Sequence, residues 1–195
     1  MQFLQSIFLL LSAPYERLEC TEHLVLVRPN KLHFGQWSTI RQENMNFLQP
    51  FEPKWHEADL SKQGYKQRVR FYAKTAYERT GFSYFLIHKE FGLIGGISLF
   101  NIRYGCTSSG KVGYWLAKEH NGKGYMSAAL ACICKFGFYT LNLERIESAC
   151  LEHNKRSIQL LKRNQFEEEG LAKAYLEING KRQDHLLFAR LKTQT

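Results

Sequence analysis

The 195-residue sequence predicts one mixed α/β domain, a sheet with helices on both faces. Three observations carry that expectation. Apolar runs of strand length alternate along the chain with segments of helical period. An Asn179-Gly180 pair between two apolar runs is a tight hairpin signal. Lys111 to Met126, KVGYWLAKEHNGKGYM, reads as strand, glycine turn and helix start, an arrangement that presents unpaired backbone N–H groups to a phosphate.

Taken in order, Leu24 to Arg28 is a short first strand, and Lys31 to Phe47 carries apolar residues at imperfect helical spacing. Phe47 to Pro53 holds two prolines and reads as an irregular loop. Asp59 to Arg79 repeats Tyr65, Val69, Tyr72, Ala73 and Ala76 every three or four residues, an amphipathic helix ended by Gly81. Phe82 to His88 and Leu93 to Ile102 form a hairpin. The strand of Lys111 to Ala117 puts Val112, Tyr114 and Leu116 on one side and Gly113, Trp115 and Ala117 on the other. The helix after the glycine turn runs to about Tyr139. Arg145 to Cys150 is a strand, and Asn154 is the N-cap of a helix that ends near Asn164, itself a candidate for the left-handed conformation. Phe166 onward and Asp184 to Leu191 are the last two strands.

Apolar content of 44% and only four prolines, without a repeat or low-complexity tract, argue for a globular chain of one domain. The net charge of +9 favours acidic partners, but the basic residues are spread along the chain rather than blocked together, which points to a basic enzyme and away from direct DNA binding. Five cysteines without CxxC spacing, and histidines not paired at ligand spacing, predict reduced thiols, no structural metal and a cytoplasmic location. The opening MQFLQSIFLLLSA is similar to the apolar core of a signal peptide. It lacks a preceding Lys or Arg and is too short to span a bilayer, so an extra docking helix or a misplaced start is expected, and a membrane role is not.

The turn Asn121-Gly122-Lys123-Gly124 fits neither the P-loop nor the dinucleotide fingerprint. With Tyr125 and Met126 it resembles the Gln/Arg-x-x-Gly-x-Gly/Ala pyrophosphate loop of the GNAT N-acetyltransferases, departing from it at Asn121 and Met126. The flanks resemble the RimJ/RimL branch, the ribosomal-protein alanine N-acetyltransferases: Val-Gly-Tyr-Trp-Leu before the loop, His153-Asn154-Lys155-Arg156-Ser157, Phe166 to Lys173, and Asn179 to His185. RimJ is the nearer of the two. The resemblance covers about residues 21 to 193. It implies a largely antiparallel, twisted GNAT sheet of about seven strands, with residues 1–20 as an apolar extension and 21–195 as the acetyltransferase domain.

The resemblance also implies acetyl-coenzyme A as donor and a primary amine as acceptor, without a metal. Backbone N–H groups of Gly122 to Met126, at the positive end of a helix, would hold the pyrophosphate, with Lys123 adding charge. The strand Trp115, Leu116, Ala117 would pair with the pantetheine arm, and one of its N–H groups would polarise the thioester carbonyl. Asn154 would contact the pantetheine as well as cap its helix. Many GNAT enzymes place a Tyr seven residues after this Asn as general acid. Here that position is Leu161, and Ser157 matches the serine that the RimJ/RimL branch is proposed to use instead, an ordinary first-turn Ser being the plainer reading. For the general base Glu52 is the first candidate, with Glu177 and Asp184–His185 behind it. A protein α-amine has a pKa of about 7.7–8.0 against about 10.4 for Lys, so the N-terminus of a protein is the more natural acceptor, and the resemblance implies a ribosomal one. A small-molecule amine, or a non-catalytic domain that holds coenzyme A or docks on the ribosome, are the rival readings.

Overall fold

The computed structural model describes residues 15–193. Its centre is a sheet of β1 (Arg17–Glu19), β2 (Leu24–Val27), β3 (Phe82–His88), β4 (Gly92–Arg103), β5 (Ser109–Leu116), β6 (Arg145–Leu151), β7 (Glu167–Ile178) and β8 (Lys181–Leu191). The strands lie in the order β1-β2-β3-β4-β5-β6-β8-β7. Every neighbouring pair is antiparallel except β5 and β6. The strand beyond the expected seven is β1, whose three residues pair with Val25 to Val27. It lies inside the stretch 1–20 that the sequence set apart. The apolar run itself falls outside the described residues.

Alternation along the strands builds a core on each face. In β3, Phe82, Tyr84 and Leu86 enter one apolar cluster while Phe85 enters the other. The first cluster is closed by α4 (Tyr125–Lys135), which buries Met126, Ala129, Leu130, Ile133 and Cys134 at helical spacing, and by Leu161 of α5 (Lys155–Arg163). The second is closed by α1 (Phe34–Glu43) and α3 (Lys62–Tyr77), through Trp37, Ile40 and Tyr65. A short α2 (Met45–Leu48) follows α1.

The departures from expectation have local causes. The helix expected over 31–47 breaks at Asn44, a buried residue whose amide donates to Ile40 O while its Oδ1 accepts the Lys118 N–H at 2.7 Å. A helix boundary is thereby tied to the turn after β5. The proline loop is less irregular than expected: α2 passes into a 3-10 turn over Gln49–Phe51, with Pro50 in its first turn, where a missing N–H is harmless. The 16-residue α3 starts later than expected because Ser61 caps it, accepting from Gly64 N–H. The helix expected to reach Tyr139 turns π-helical after Lys135, over Phe136–Thr140. Asn164 keeps a negative φ of −94° because its buried amide donates to Ser127 Oγ and Leu160 O, and Gln165 takes the left-handed turn at φ 64°. The β7–β8 hairpin turns at Asn179 and Gly180, both with positive φ, as the pair predicts.

Candidate active site

The candidate site is built around the one parallel seam of the sheet. β5 and β6 pair only at Ser109↔Arg145, Gly110↔Ile146 and Lys111↔Glu147. Beyond Lys111 the strands part, and Ser148 Oγ reaches across to donate to Val112 O at 3.2 Å. Ala117 N–H donates to Ile94 O on the β4 side. Backbone groups alternate along a strand, so the N–H groups of Tyr114 and Leu116 turn into the gap. Of the Trp115–Ala117 segment, Leu116 is therefore the residue whose amide faces the cleft, and that of Ala117 is engaged. Trp115 turns its indole the other way, over Gly96, where a Cβ would stand 2.4 Å from the indole nitrogen. The gap is part of a cleft of about 1170 Å³ lined by both strands, the glycine turn, the start of α5, residues 46–53 and the β7–β8 hairpin.

At one end of the gap lies the glycine turn. Gly122 and Gly124 have φ of 77° and 83°, the left-handed region that glycine enters without strain, and open space surrounds both. Gly124 is the N-cap of α4, and no side chain caps that end. The first intrahelical bond runs from Ala128 N–H to Gly124 O, so the preceding amides point outward as an anion cradle. The side chains of the turn serve its shape. Asn121 donates to Ala117 O and Lys118 O, Met126 is buried in the core, and Tyr125 packs on His88 at 4.9 Å. Lys123 Nζ sits 5.8 Å over the Phe91 ring. His88, stacked on Phe91, and the buried His120 complete the support beneath the turn. Burial holds the His120 imidazole below its ordinary pKa, against the pull of Glu119. Among the described residues no group of three or more His, Cys, Asp or Glu could hold a metal ion.

On the β6 side, Asn154 caps α5, its Oδ1 accepting the Ser157 N–H at 3.2 Å, and both residues line the cleft. The buried Ser157 hydroxyl lies 2.7 Å from the Tyr114 hydroxyl on the opposite wall, each able to donate to the other. Burial raises the Tyr114 pKa well above the ordinary phenol value, with the Ser157 bond opposing, so the phenol stays protonated. Burial pushes the Cys150 thiol of β6 up to about 11. Leu161, seven residues after Asn154, is fully buried in the core.

The other wall carries the carboxylates. Arg41 of α1 forks both oxygens of Glu52, and Trp55 Nε1 donates to Glu52 Oε2 at 2.8 Å. The Arg41 guanidinium is sandwiched between Trp55, at 4.0 Å, and Trp115, at 4.9 Å. Glu52 O accepts the Asn179 N–H, tying this loop to the β7–β8 turn across the cleft. Glu177 lines the cleft as well. Asp184 is used within the hairpin, accepting Ala174 N–H, and the buried His185 bonds Gln183 O through Nδ1.

The structure thus brings Leu116, the Gly122–Met126 amides, Asn154, Ser157 and Glu52 to one cleft. It adds three groups that the sequence did not single out. Tyr114 reads as one more residue of a buried strand face, since Val112 and Leu116 flank it at period two. Arg41 and Trp55 read as parts of a helix and a loop. Only the proline loop close behind α1 hints that they meet.

Comparison with known proteins fits this geometry. The model of the acetyltransferase (GNAT) domain matches residues 23–167. The [ribosomal protein uS5]-alanine N-acetyltransferase of Escherichia coli K12 is 34% identical over 148 residues, 75% of this chain and 76% of that protein. Among solved structures, the ribosomal-protein-S5-alanine acetyltransferase from Vibrio fischeri superposes with a TM-score of 0.84 at 31% identity, covering 90% of this chain and 96% of the other. RimJ of Mycobacterium smegmatis, solved in complex with CoA-disulfide, does so at 0.82 and 27% identity, covering 86% and 81%.

Proposed function

The chain belongs to the GNAT acetyltransferase family, and we propose that within it this protein moves the acetyl group of acetyl-coenzyme A to the N-terminal α-amine of a ribosomal protein in the cytoplasm. The observation that carries the reading is the parted seam of β5 and β6, ending on the uncapped start of α4. An extended arm with amide groups fits the gap as a strand would, and a pyrophosphate fits the outward amides of Gly122 to Met126. Acetyl-coenzyme A supplies an acyl group activated as a thioester. The names of the relatives support a ribosomal acceptor, and so does the acidity of an α-amine, a sizeable fraction of which is neutral near pH 7.

The residues divide the work by position. Leu116 N–H faces the gap where a thioester carbonyl would lie and supports negative charge that develops on its oxygen. Asn154 holds the start of α5 and offers its amide NH₂ to the arm. Ser157, backed by Tyr114, donates a proton or a hydrogen bond to the departing thiolate. Among the described residues Glu52 Oε1 accepts from Arg41 alone, and it keeps a lone pair with which to steer the amine and take up its proton. Its clamp by Arg41 and Trp55 fixes that oxygen at the acceptor side.

Thiol release from acetyl-coenzyme A, measured with peptides bearing free or blocked N-termini beside a panel of small amines, tests the proposal. Turnover is expected with free N-termini alone. Turnover with small amines and none with peptides would replace the acceptor. Cofactor binding without thiol release for any acceptor would reduce the protein to a binding module.

A further inference from the structure

The outer face of α3 does not line the cleft. From Lys62 to Tyr77 the helix carries five basic residues and no acidic one. Four of the five, Lys62, Lys66, Arg70 and Lys74, recur every fourth residue and are all exposed. At 1.5 Å per residue they form a row of about 18 Å with a charge every 6 Å or so, the scale of one nucleotide step along a strand. Like charges four apart weaken a helix, yet this one holds three such pairs in succession. Of these four, Lys74 alone has an ion pair among the described residues, with Glu78 at 3.7 Å at the far end of the row. Tyr77, 64% exposed, lies on the same face just beyond Lys74, and Phe71, 62% exposed, flanks the row.

The helix is anchored beside the acceptor side. Its inner face puts Tyr65 against Trp37 of α1 at 4.8 Å and Arg68 over the same indole, and α1 holds the Glu52 loop through Arg41. We propose that this ridge docks the protein on RNA: the four cations bind successive phosphates of an RNA strand and the exposed rings lie on its bases. A row of cations flanked by aromatic rings is the chemistry that binds single-stranded nucleic acid without reading its sequence. The choice of RNA rests on the ribosomal acceptor proposed above, because an N-terminus presented on a ribonucleoprotein brings RNA to this face. The ridge adds affinity for the particle and takes no part in acetyl transfer.

The test is fluorescence anisotropy of a short labelled single-stranded RNA, titrated with the full chain at several salt concentrations, beside vesicles of phosphatidylglycerol. With four phosphates neutralised, log K is expected to fall against log salt with a slope of about −2.8, so affinity drops about 50-fold between roughly 50 and 200 mM salt. The variant Lys62→Gln/Lys66→Gln/Arg70→Gln/Lys74→Gln is expected to lose at least about tenfold in RNA affinity at low salt. Its thiol release with a short free peptide should stay at the wild-type level, which also certifies its fold. Equal RNA affinity in the two proteins, or no RNA binding by the wild type, overturns the proposal. So does capture by the vesicles, lost in the variant, without RNA binding. RNA binding through the ridge by a protein that acetylates no peptide would reject the acceptor reading and leave the ridge standing.

Discussion

Replacing Tyr114 with Phe removes one oxygen and keeps the ring that fills the β5 face. In the native protein that oxygen is 2.7 Å from the buried Ser157 hydroxyl. Losing a hydrogen bond of this kind, with the serine left short of a partner, costs about 1–2 kcal/mol of stability. The kinetic effect should be the larger. If Tyr114 holds the serine hydroxyl toward the leaving sulfur, its loss sacrifices about 10²-fold in kcat, the lower bound for general acid help and about 2.7 kcal/mol of barrier. The KM for acetyl-coenzyme A should stay within about threefold, because the cradle and the Leu116 amide are untouched. Saturating thiol-release assays measure kcat, and urea unfolding measures stability. Tyr114→Phe combined with Ser157→Ala should be no slower than Ser157→Ala alone, since the phenol acts through the serine. An unchanged kcat in a fully folded Tyr114→Phe protein, or kcat losses that multiply in the double variant, would refute the reasoning.

Three further outcomes follow from the same geometry. Glu52→Gln is expected to lower kcat by about 10²-fold and stability by about 1–3 kcal/mol, and a stability loss with full turnover per folded molecule would make Glu52 a clamp for the loop and nothing more. Gly124→Ala places a Cβ at φ 83°, costing about 1–2 kcal/mol in the turn, and should raise the dissociation constant of coenzyme A by calorimetry, whereas Gly35→Ala, an open helical site, should not. His120, buried and with Nδ1 lacking a hydrogen-bond partner among the described residues, has a folded pKa held below its unfolded value of 6.5. The unfolded chain therefore takes up its proton first, and stability, at full strength above pH 6.5, declines as pH falls through the window below it. His120→Gln should flatten that part of the acid limb in unfolding curves, and an identical limb would assign the decline to other groups.

What the sequence could reveal follows from the range of the interactions involved. The glycine turn, the Asn154 cap and the Asn179-Gly180 hairpin depend on residues within a few positions of one another, and each was legible. The mixed sheet followed from element order, and the GNAT reading from flanking motifs. Tyr114 and Ser157 lie 43 residues apart and meet only because two parallel neighbours separate, an event with no signature in either strand. Arg41 finds Glu52 because α1 breaks at Asn44, and Asn44 breaks it to reach an amide 74 positions away. The edge strand β1 escaped for another reason: its three residues, Arg-Leu-Glu, are too few to show a period. In the same way Asn164 was the reasonable candidate for a left-handed turn until the hydroxyl of Ser127 claimed its amide.

The parting of β5 and β6 also has a mechanical meaning. The sheet is in effect two leaves, β1 to β5 and β6 to β8, hinged at the three residue pairs from Ser109 to Lys111. Each leaf has a raw border inside the molecule, the kind of border that on an outer strand would recruit a foreign chain. Here the walls of the cleft screen it from other proteins and leave it open to one slender, amide-bearing thread. Such a thread stitches the leaves together. Amide hydrogen exchange at Tyr114 and Leu116 should therefore slow on donor binding together with that of β6 across the gap, so that the cofactor serves as a missing strand of the fold as well as a reagent.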